Sequence, residues 1–290
     1  RSRLEVSVTG PGGPEVAVWM LGVSRLVRSL IIMGGAQMVP REKALPGRAS
    51  PLKIAAEHYV LKTPMKGPWP PGAEVIVLAS GCFWGSEKGI WRLPGNGIVS
   101  TAVGYAAGYT PNPTYEEVCS GLTGHTEAVQ VVYDPSKISV VDILRWHWQC
   151  HDPTQLNKQG NDVGTQYRSG VYYFSDDQKK LVEASKAAYE KALMAKGFGK
   201  VASEVRPASD FDQVFFYAED YHQQYLAKPG ARPYCSAQPR VVDLPPFEEW
   251  APKELQDKHK PRLPEAFWKE HAPTPHCVIR SPNAPIKWEL

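Results

Sequence analysis

The sequence has no Cys-x-x-Cys pair, and its five cysteines, Cys82, Cys119, Cys150, Cys235 and Cys277, are scattered and odd in number. A disulfide scaffold or a structural zinc site needs closely spaced thiols, so neither is indicated. His147, Cys150 and His151 fall on one expected helix, where a helix face with one buried thiol accounts for them; no metal is expected. No run of about 18 apolar residues is free of charge, which argues against a membrane-spanning helix. Net charge is small: 33 Lys and Arg against 30 Asp and Glu leave +3. Nucleic-acid and polybasic membrane surfaces need clustered cations, so neither partner is expected. Aromatic residues are plentiful, with nine Trp, thirteen Tyr and eight Phe, which excludes disorder across the whole chain.

Proline is in excess and unevenly placed. Of 27, nine lie in residues 1–71, six in 72–228 and twelve in 229–290. Proline removes a backbone donor and stops helices and central strands. Regular structure is therefore expected in the middle, between irregular Pro-rich extensions. This gives a leader at 1–57, a compact domain at 58–235 and a C-terminal extension at 236–290. The leader has Glu5 and Glu15 as its only acids up to residue 41, and its apolar run 16–33 is broken by Arg25 and Arg28. That composition reads as a transit peptide to a plastid or mitochondrion. The alternative is a disordered segment on a cytoplasmic protein. Phe247, Trp250, Phe267 and Trp268 are expected to pack the extension onto the core.

The middle alternates strand and helix signals. Residues 73–80, 98–105, 126–133, 170–174 and 213–217 read as strands. Residues 83–92, 113–119, 140–150, 177–196 and 218–227 read as helices, and Ser139 is placed to cap the third. An α+β core follows, with helices packed on a mixed sheet.

Residues 81–85 read Gly-Cys-Phe-Trp-Gly. Cys82 ends a buried strand and opens a helix, whose free N–H groups and dipole favour an anion. On that basis its thiol is expected below the usual ~8.5 and reactive. Phe83 and Trp84 offer an apolar wall. Glu127, at a strand entrance before Ala128 and Val129, is a candidate general acid, since apolar surroundings keep a carboxyl protonated. A solvent-facing Glu127 is the alternative. His125, His147, His151 and His222 are rival bases for the thiol, which spacing does not separate. Tyr115 and Tyr167 carry hydroxyls that suit a polar ligand or ordinary core packing.

Several collinear motifs, running from about residue 58 to 235, resemble one family. They are Gly81–Gly85, Gly104-Tyr105 to Gly108-Tyr109, Pro113–Gly121, Thr123–Glu127, His151–Gln155, Gln159–Asp162, Gly164–Ser169 and Tyr217–Leu226. The chain is similar to the A-type peptide methionine sulfoxide reductases. The resemblance implies a two-layer α/β sandwich with ferredoxin-like character, and reduction of methionine S-sulfoxide, free or in proteins, without metal or prosthetic group. It implies Cys82 as nucleophile, Glu127 as proton donor, and Tyr115 and Tyr167 as hydrogen-bond donors to the sulfoxide oxygen. It further implies Phe83 and Trp84 around the substrate methyl, and Asp162 holding the substrate. Cys82 would become a sulfenic acid, a second thiol would condense with it, and a dithiol partner such as thioredoxin would reduce the disulfide.

By position the second thiol is Cys235. The Gly-rich tail that gives the family's resolving cysteine its mobility is missing here, which makes Cys277 the alternative. Leu156-Asn157 and Val163 also depart from the pattern, around the substrate loop. Two other functions remain at this point: a cysteine hydrolase or transferase with a histidine base, and a non-catalytic redox sensor with a partner-binding tail.

Overall fold

The structure, a computed structural model, describes residues 37–289. The transit-peptide reading lies mostly outside those residues. Residues 37–57, assigned to the leader, are laid along the domain. Leu45 donates its N–H to the Leu122 carbonyl at 2.9 Å, and the Arg48 guanidinium pairs with Glu117 at 2.8 Å. Among the described residues no helix is long and apolar enough to cross a membrane.

Six strands form one mixed sheet in the order β7-β6-β1-β3-β2-β8: β1 (Glu74–Ala79), β2 (Ile98–Ala106), β3 (Thr126–Tyr133), β6 (Gly170–Tyr173), β7 (Glu204–Pro207) and β8 (Phe215–Tyr217). All pairings are antiparallel except β6 with β7. A small hairpin, β4 (Lys158–Gln159) with β5 (Asp162–Val163), stands apart. Side chains alternate across a strand. Ile76 and Leu78 accordingly join Val129, Val131 and Val171 in one core layer, while Val77 and Ala79 join Ala102, Ala106 and Tyr172 in another. The first layer is covered by α1 (Phe83–Trp91), α3 (Val140–Gln149) and α4 (Asp176–Ala195); α2 (Tyr115–Cys119) leads toward β3. The fold is α+β, as expected. Ser139 caps α3, accepting the Val141 N–H at 3.2 Å, and Asp142 completes a capping box.

Two expectations need correction. Residues 218–227 are a series of turns with one 3-10 turn at Tyr225–Ala227, not a helix. Gln224 is left-handed (φ 47°), and its side chain donates to Glu87 Oε1 at 2.7 Å. Gln223 spans the backbone of Val103 with bonds of 2.9 and 2.8 Å. These long-range bonds outweigh the local helical preference. The C-terminal extension is also less irregular than its prolines suggest. It holds α5 (Phe247–Trp250), α6 (Lys253–Gln256), α7 (Glu265–His271) and α8 (Cys277–Arg280). Pro246, Pro252 and Pro264 stand at the N-caps of the first three, where the missing N–H costs nothing. Phe247, Leu263, Phe267 and Trp268 are buried in the main core, so the extension packs as its aromatics indicated.

Candidate active site

β1 ends in a turn through Gly81, whose φ of +87° suits glycine, and Cys82 then stands as the N-cap of α1. Cys82 is buried, at 8% exposure. The free N–H of Phe83, first residue of the helix, donates to Glu127 Oε2 at 3.0 Å. Glu127 is carried there by β3, opposite Tyr105 of β2. Thiol and carboxyl thus share one helix start, with the carboxyl buried rather than facing solvent.

Burial pushes the Glu127 carboxyl up to about 8, and the nearby Asp162 charge adds to this; the Phe83 N–H works the other way. Glu127 therefore carries a proton at neutral pH. The expectation of a depressed thiol is overturned. Burial holds the Cys82 thiol well above its ordinary range, reinforced by the charges of Glu127, Cys235 and Asp162. The Trp84 backbone N–H favours the thiolate but is not close enough to form a cap bond. A helix start is worth roughly 0.3–1 kcal/mol to an anion at exposed sites. Here it competes with loss of water and with a carboxyl already seated on it.

Tyr115 and Tyr167 are both half-buried. Tyr115 opens α2 and donates its backbone N–H to Glu219 Oε1 at 2.8 Å. Its hydroxyl lies close enough to the Cys119 thiol for each to shift the other. Tyr167 ends the 3-10 turn Thr165–Tyr167. Burial raises both phenols above their usual range, and both feel the Glu127 charge. They are hydrogen-bond donors, not acids. Asp162, on β5, accepts the Tyr234 hydroxyl at 2.6 Å.

Phe83 and Trp84 part company. Phe83 is 1% exposed, with its ring 6.0 Å from Tyr105 and 5.2 Å from His222. Trp84 is half-buried and held on three sides. Its Nε1–H donates to His222 Nδ1 at 3.1 Å, Tyr225 stacks on it at 3.9 Å, and Tyr234 meets it edge-on at 6.3 Å. Sequence reasoning missed Tyr225 and Tyr234 as parts of the site. Tyr225 lies inside the quoted Tyr217–Leu226 motif, and Tyr234 directly precedes Cys235.

No rival histidine serves Cys82 as a base. His125 Nδ1 accepts the Gly108 N–H at 3.1 Å and its Nε2 meets the Thr110 carbonyl at 2.7 Å, making it a loop clip. His222 uses Nδ1 for Trp84, so its remaining ring nitrogen carries the hydrogen. Burial depresses both to about 4. His147 and His151 lie at the far end of α3, where His151 bonds the His147 carbonyl and Ser169 and the His147 ring is buried with Nε2 unpartnered. Among the described residues no three His, Cys, Asp or Glu side chains are grouped to hold a metal ion.

All five cysteines are free. Cys235 is buried and close enough to Cys82 for its charge to be felt there. Cys150, Cys235 and Cys277 border one cavity of about 20 Å³, and of these three Cys277 is the most exposed.

The peptide methionine sulfoxide reductase family model matches residues 74–252. The peptide methionine sulfoxide reductase MsrA 1 of Synechocystis sp. is 52% identical over 198 residues, covering 68% of this chain and 86% of its own. The MsrA 2 protein of Nostoc sp. is 55% identical over 194 residues, covering 67% and 84%. Among solved structures, methionine sulfoxide reductase A of Corynebacterium diphtheriae superposes with a TM-score of 0.62 at 41% identity, over 69% of this chain and 93% of that one. The chain belongs to the peptide methionine sulfoxide reductase family, A type, and is a thiol-dependent enzyme that reduces methionine sulfoxide to methionine.

Proposed function

We propose that the reaction runs on the S-epimer of methionine sulfoxide, free or in oxidised proteins, with Glu127 giving the proton and Cys82 taking the oxygen. The carrying observation is the 3.0 Å bond from the Phe83 N–H to Glu127, which seats a neutral carboxyl at the same helix start as the thiol. A sulfoxide oxygen leaves poorly until protonated. Glu127 supplies that proton, and the Tyr115 and Tyr167 hydroxyls bond the oxygen as charge shifts onto it. Once Glu127 has given its proton to the oxygen, its carboxylate is the base that takes the thiol proton from Cys82, so the pair ends with the charge it began with. The Cys82 sulfur attacks the substrate sulfur, the protonated oxygen passes to the Cys82 sulfur as the bonds from the substrate sulfur to both oxygen and Cys82 break, methionine departs, and Cys82 is left as a sulfenic acid.

Trp84 forms the wall for the substrate methyl, with Phe83 supporting it from inside the core. Asp162, tied by Tyr234, holds the substrate's polar part. Cys235 is the resolving thiol, favoured over Cys277 by its coupling to Cys82. The finished disulfide needs two electrons from an external dithiol, for which a thioredoxin-type protein fits the family. No organic cofactor enters this scheme.

The test is turnover of a methionine sulfoxide peptide with dithiothreitol, run on wild type and Cys82→Ser. Methionine from the wild type alone supports this function, whereas none from either protein removes it.

A further inference from the structure

α1 contains two interior glycines, and neither has positive φ. Glycine inside a helix costs about 1 kcal/mol relative to alanine, so backbone conformation does not account for them. Space does. A Cβ on Gly89 would stand 2.1 Å from the Trp146 ring, so that glycine admits a packing residue. A Cβ on Gly85 would stand 2.5 Å from Cys235 Sγ and 3.3 Å from Cys235 Cβ. That glycine admits a thiol.

Cys82 is the N-cap of the helix and Gly85 its third residue, so both belong to the first turn, and the Cys235 charge is felt at Cys82. A sulfur in the Gly85 notch is thus set against the turn that the nucleophile opens. The extension closes the seat from outside. Val278 Cγ2 lies 3.4 Å from the same point. Behind it, Lys88 donates to the Ser281 carbonyl at 3.0 Å and to Asn283 Oδ1 at 2.8 Å, and Trp91 Nε1 to the Asn283 carbonyl at 2.8 Å.

We propose that Gly85 is a positioning residue for the disulfide-forming step, keeping open the notch that holds the Cys235 sulfur beside Cys82. The inference rests on Cys235 being the resolving thiol. Pre-placement here replaces the mobile glycine-rich tail that the sequence lacks. In the step itself the Cys235 sulfur attacks the sulfur of Cys82–SOH. The S–S bond forms, the S–O bond breaks, and the oxygen leaves with its hydrogen and the Cys235 proton as water.

The test separates oxygen transfer from closure. Excess methionine sulfoxide peptide is mixed with reduced enzyme and no reductant. Methionine formed in the first turnover is counted, and the Cys82–Cys235 disulfide is timed by mass spectrometry after acid quench. In Gly85→Ala the first-turnover methionine is expected at the wild-type rate, with closure slower by at least about tenfold, as misplacement of a reacting atom predicts. A helix merely weakened by the substitution would slow both. Closure at the wild-type rate overturns the proposal. Should Gly85→Ala fail to give the first methionine, Val278→Ala decides, since it loosens the seat without a clash. Closure slowed about threefold supports the proposal and unchanged closure overturns it. Cys235→Ser tests the underlying reading: it should give one methionine and no disulfide. A disulfide in that variant overturns both inferences, whereas normal closure in Gly85→Ala beside an open Cys235→Ser overturns the Gly85 inference alone.

Discussion

At its N-terminal end α1 meets Cys82, Glu127 and the rim of Tyr115, Tyr167 and Asp162; at its C-terminal end Lys88, Trp91 and Arg92 meet the returning extension. The first end has a carboxyl that holds its proton at neutral pH, a buried thiol and two half-buried tyrosines. The second is clasped: the Ile286 N–H donates to the Arg92 carbonyl at 2.8 Å, and Asn283 takes the Lys88 and Trp91 donors, while Arg92 Nε is left buried without a partner. Titratable groups and a thiol mark the reactive end, and hydrogen bonds to the returning extension mark the structural one. Substitutions at the two ends should therefore move different observables.

The largest effect is expected at the thiol. Cys82→Ser should abolish methionine formation while leaving the thermal midpoint near that of wild type, because the change is almost isosteric. Glu127→Gln should come next, lowering kcat by about 10²–10⁴-fold, the usual range for loss of a general acid. Alkylation of Cys82 should persist in that variant. The pH profile gives the sign. Glu127 works protonated and titrates near 8, so the wild-type rate should fall as pH rises through that value. A Glu127→Gln profile with the same alkaline fall would assign it to another group.

At the other region the expected loss is stability. Phe267 is fully buried against Trp268 and Trp288. Phe267→Ala should cost about 3–5 kcal/mol, read by urea or thermal unfolding. First-turnover methionine, measured below the new midpoint, should be unchanged. A loss of that first turnover in the folded variant would mean that the packing around Phe267 supports oxygen transfer as well as the fold.

This contrast also sorts what was legible in the sequence. Strands β1, β2 and β3 are buried on both faces and read as near-continuous apolar runs. Strand β7 is an edge strand, pairs on one side only and ends in Pro207, so it leaves no such signal. Cys82 was legible because strand, glycine and helix start are local features. Its raised thiol was not, because burial and the Glu127 charge come from elements distant in sequence. The docked extension was legible in Phe267 and Trp268 but not in α3. There Asp142, Arg145 and Gln149 form a polar stripe that a solvated helix face would also present. In the structure Asp142 accepts the N–H groups of Arg262 and Leu263 at 2.9 and 3.2 Å, Arg145 pairs with Glu265, and Gln149 donates to Asp243 at 3.1 Å.

The smallest and sharpest test is Asn283→Ala. Its side-chain oxygen is one of two acceptors for Lys88, and burial has already pulled the Lys88 ammonium below its usual range. The variant keeps the Ser281 carbonyl for Lys88 and the residue 283 carbonyl for Trp91, and loses the Lys88 bond to Oδ1 together with the long 3.5 Å bond from Asn283 Nδ2 to the Ala227 carbonyl. A single hydrogen bond is worth about 0.5–1.5 kcal/mol net, somewhat more when the donor is charged. Unfolding should shift by about that amount, with first-turnover methionine untouched. Disulfide closure is the informative quantity, because Val278 lies five residues before Asn283 on the wall of the Cys235 seat. Slower closure with intact oxygen transfer would tie the clasped end of α1 to the redox step. Closure unchanged at full stability loss would confine the clasp to holding the fold.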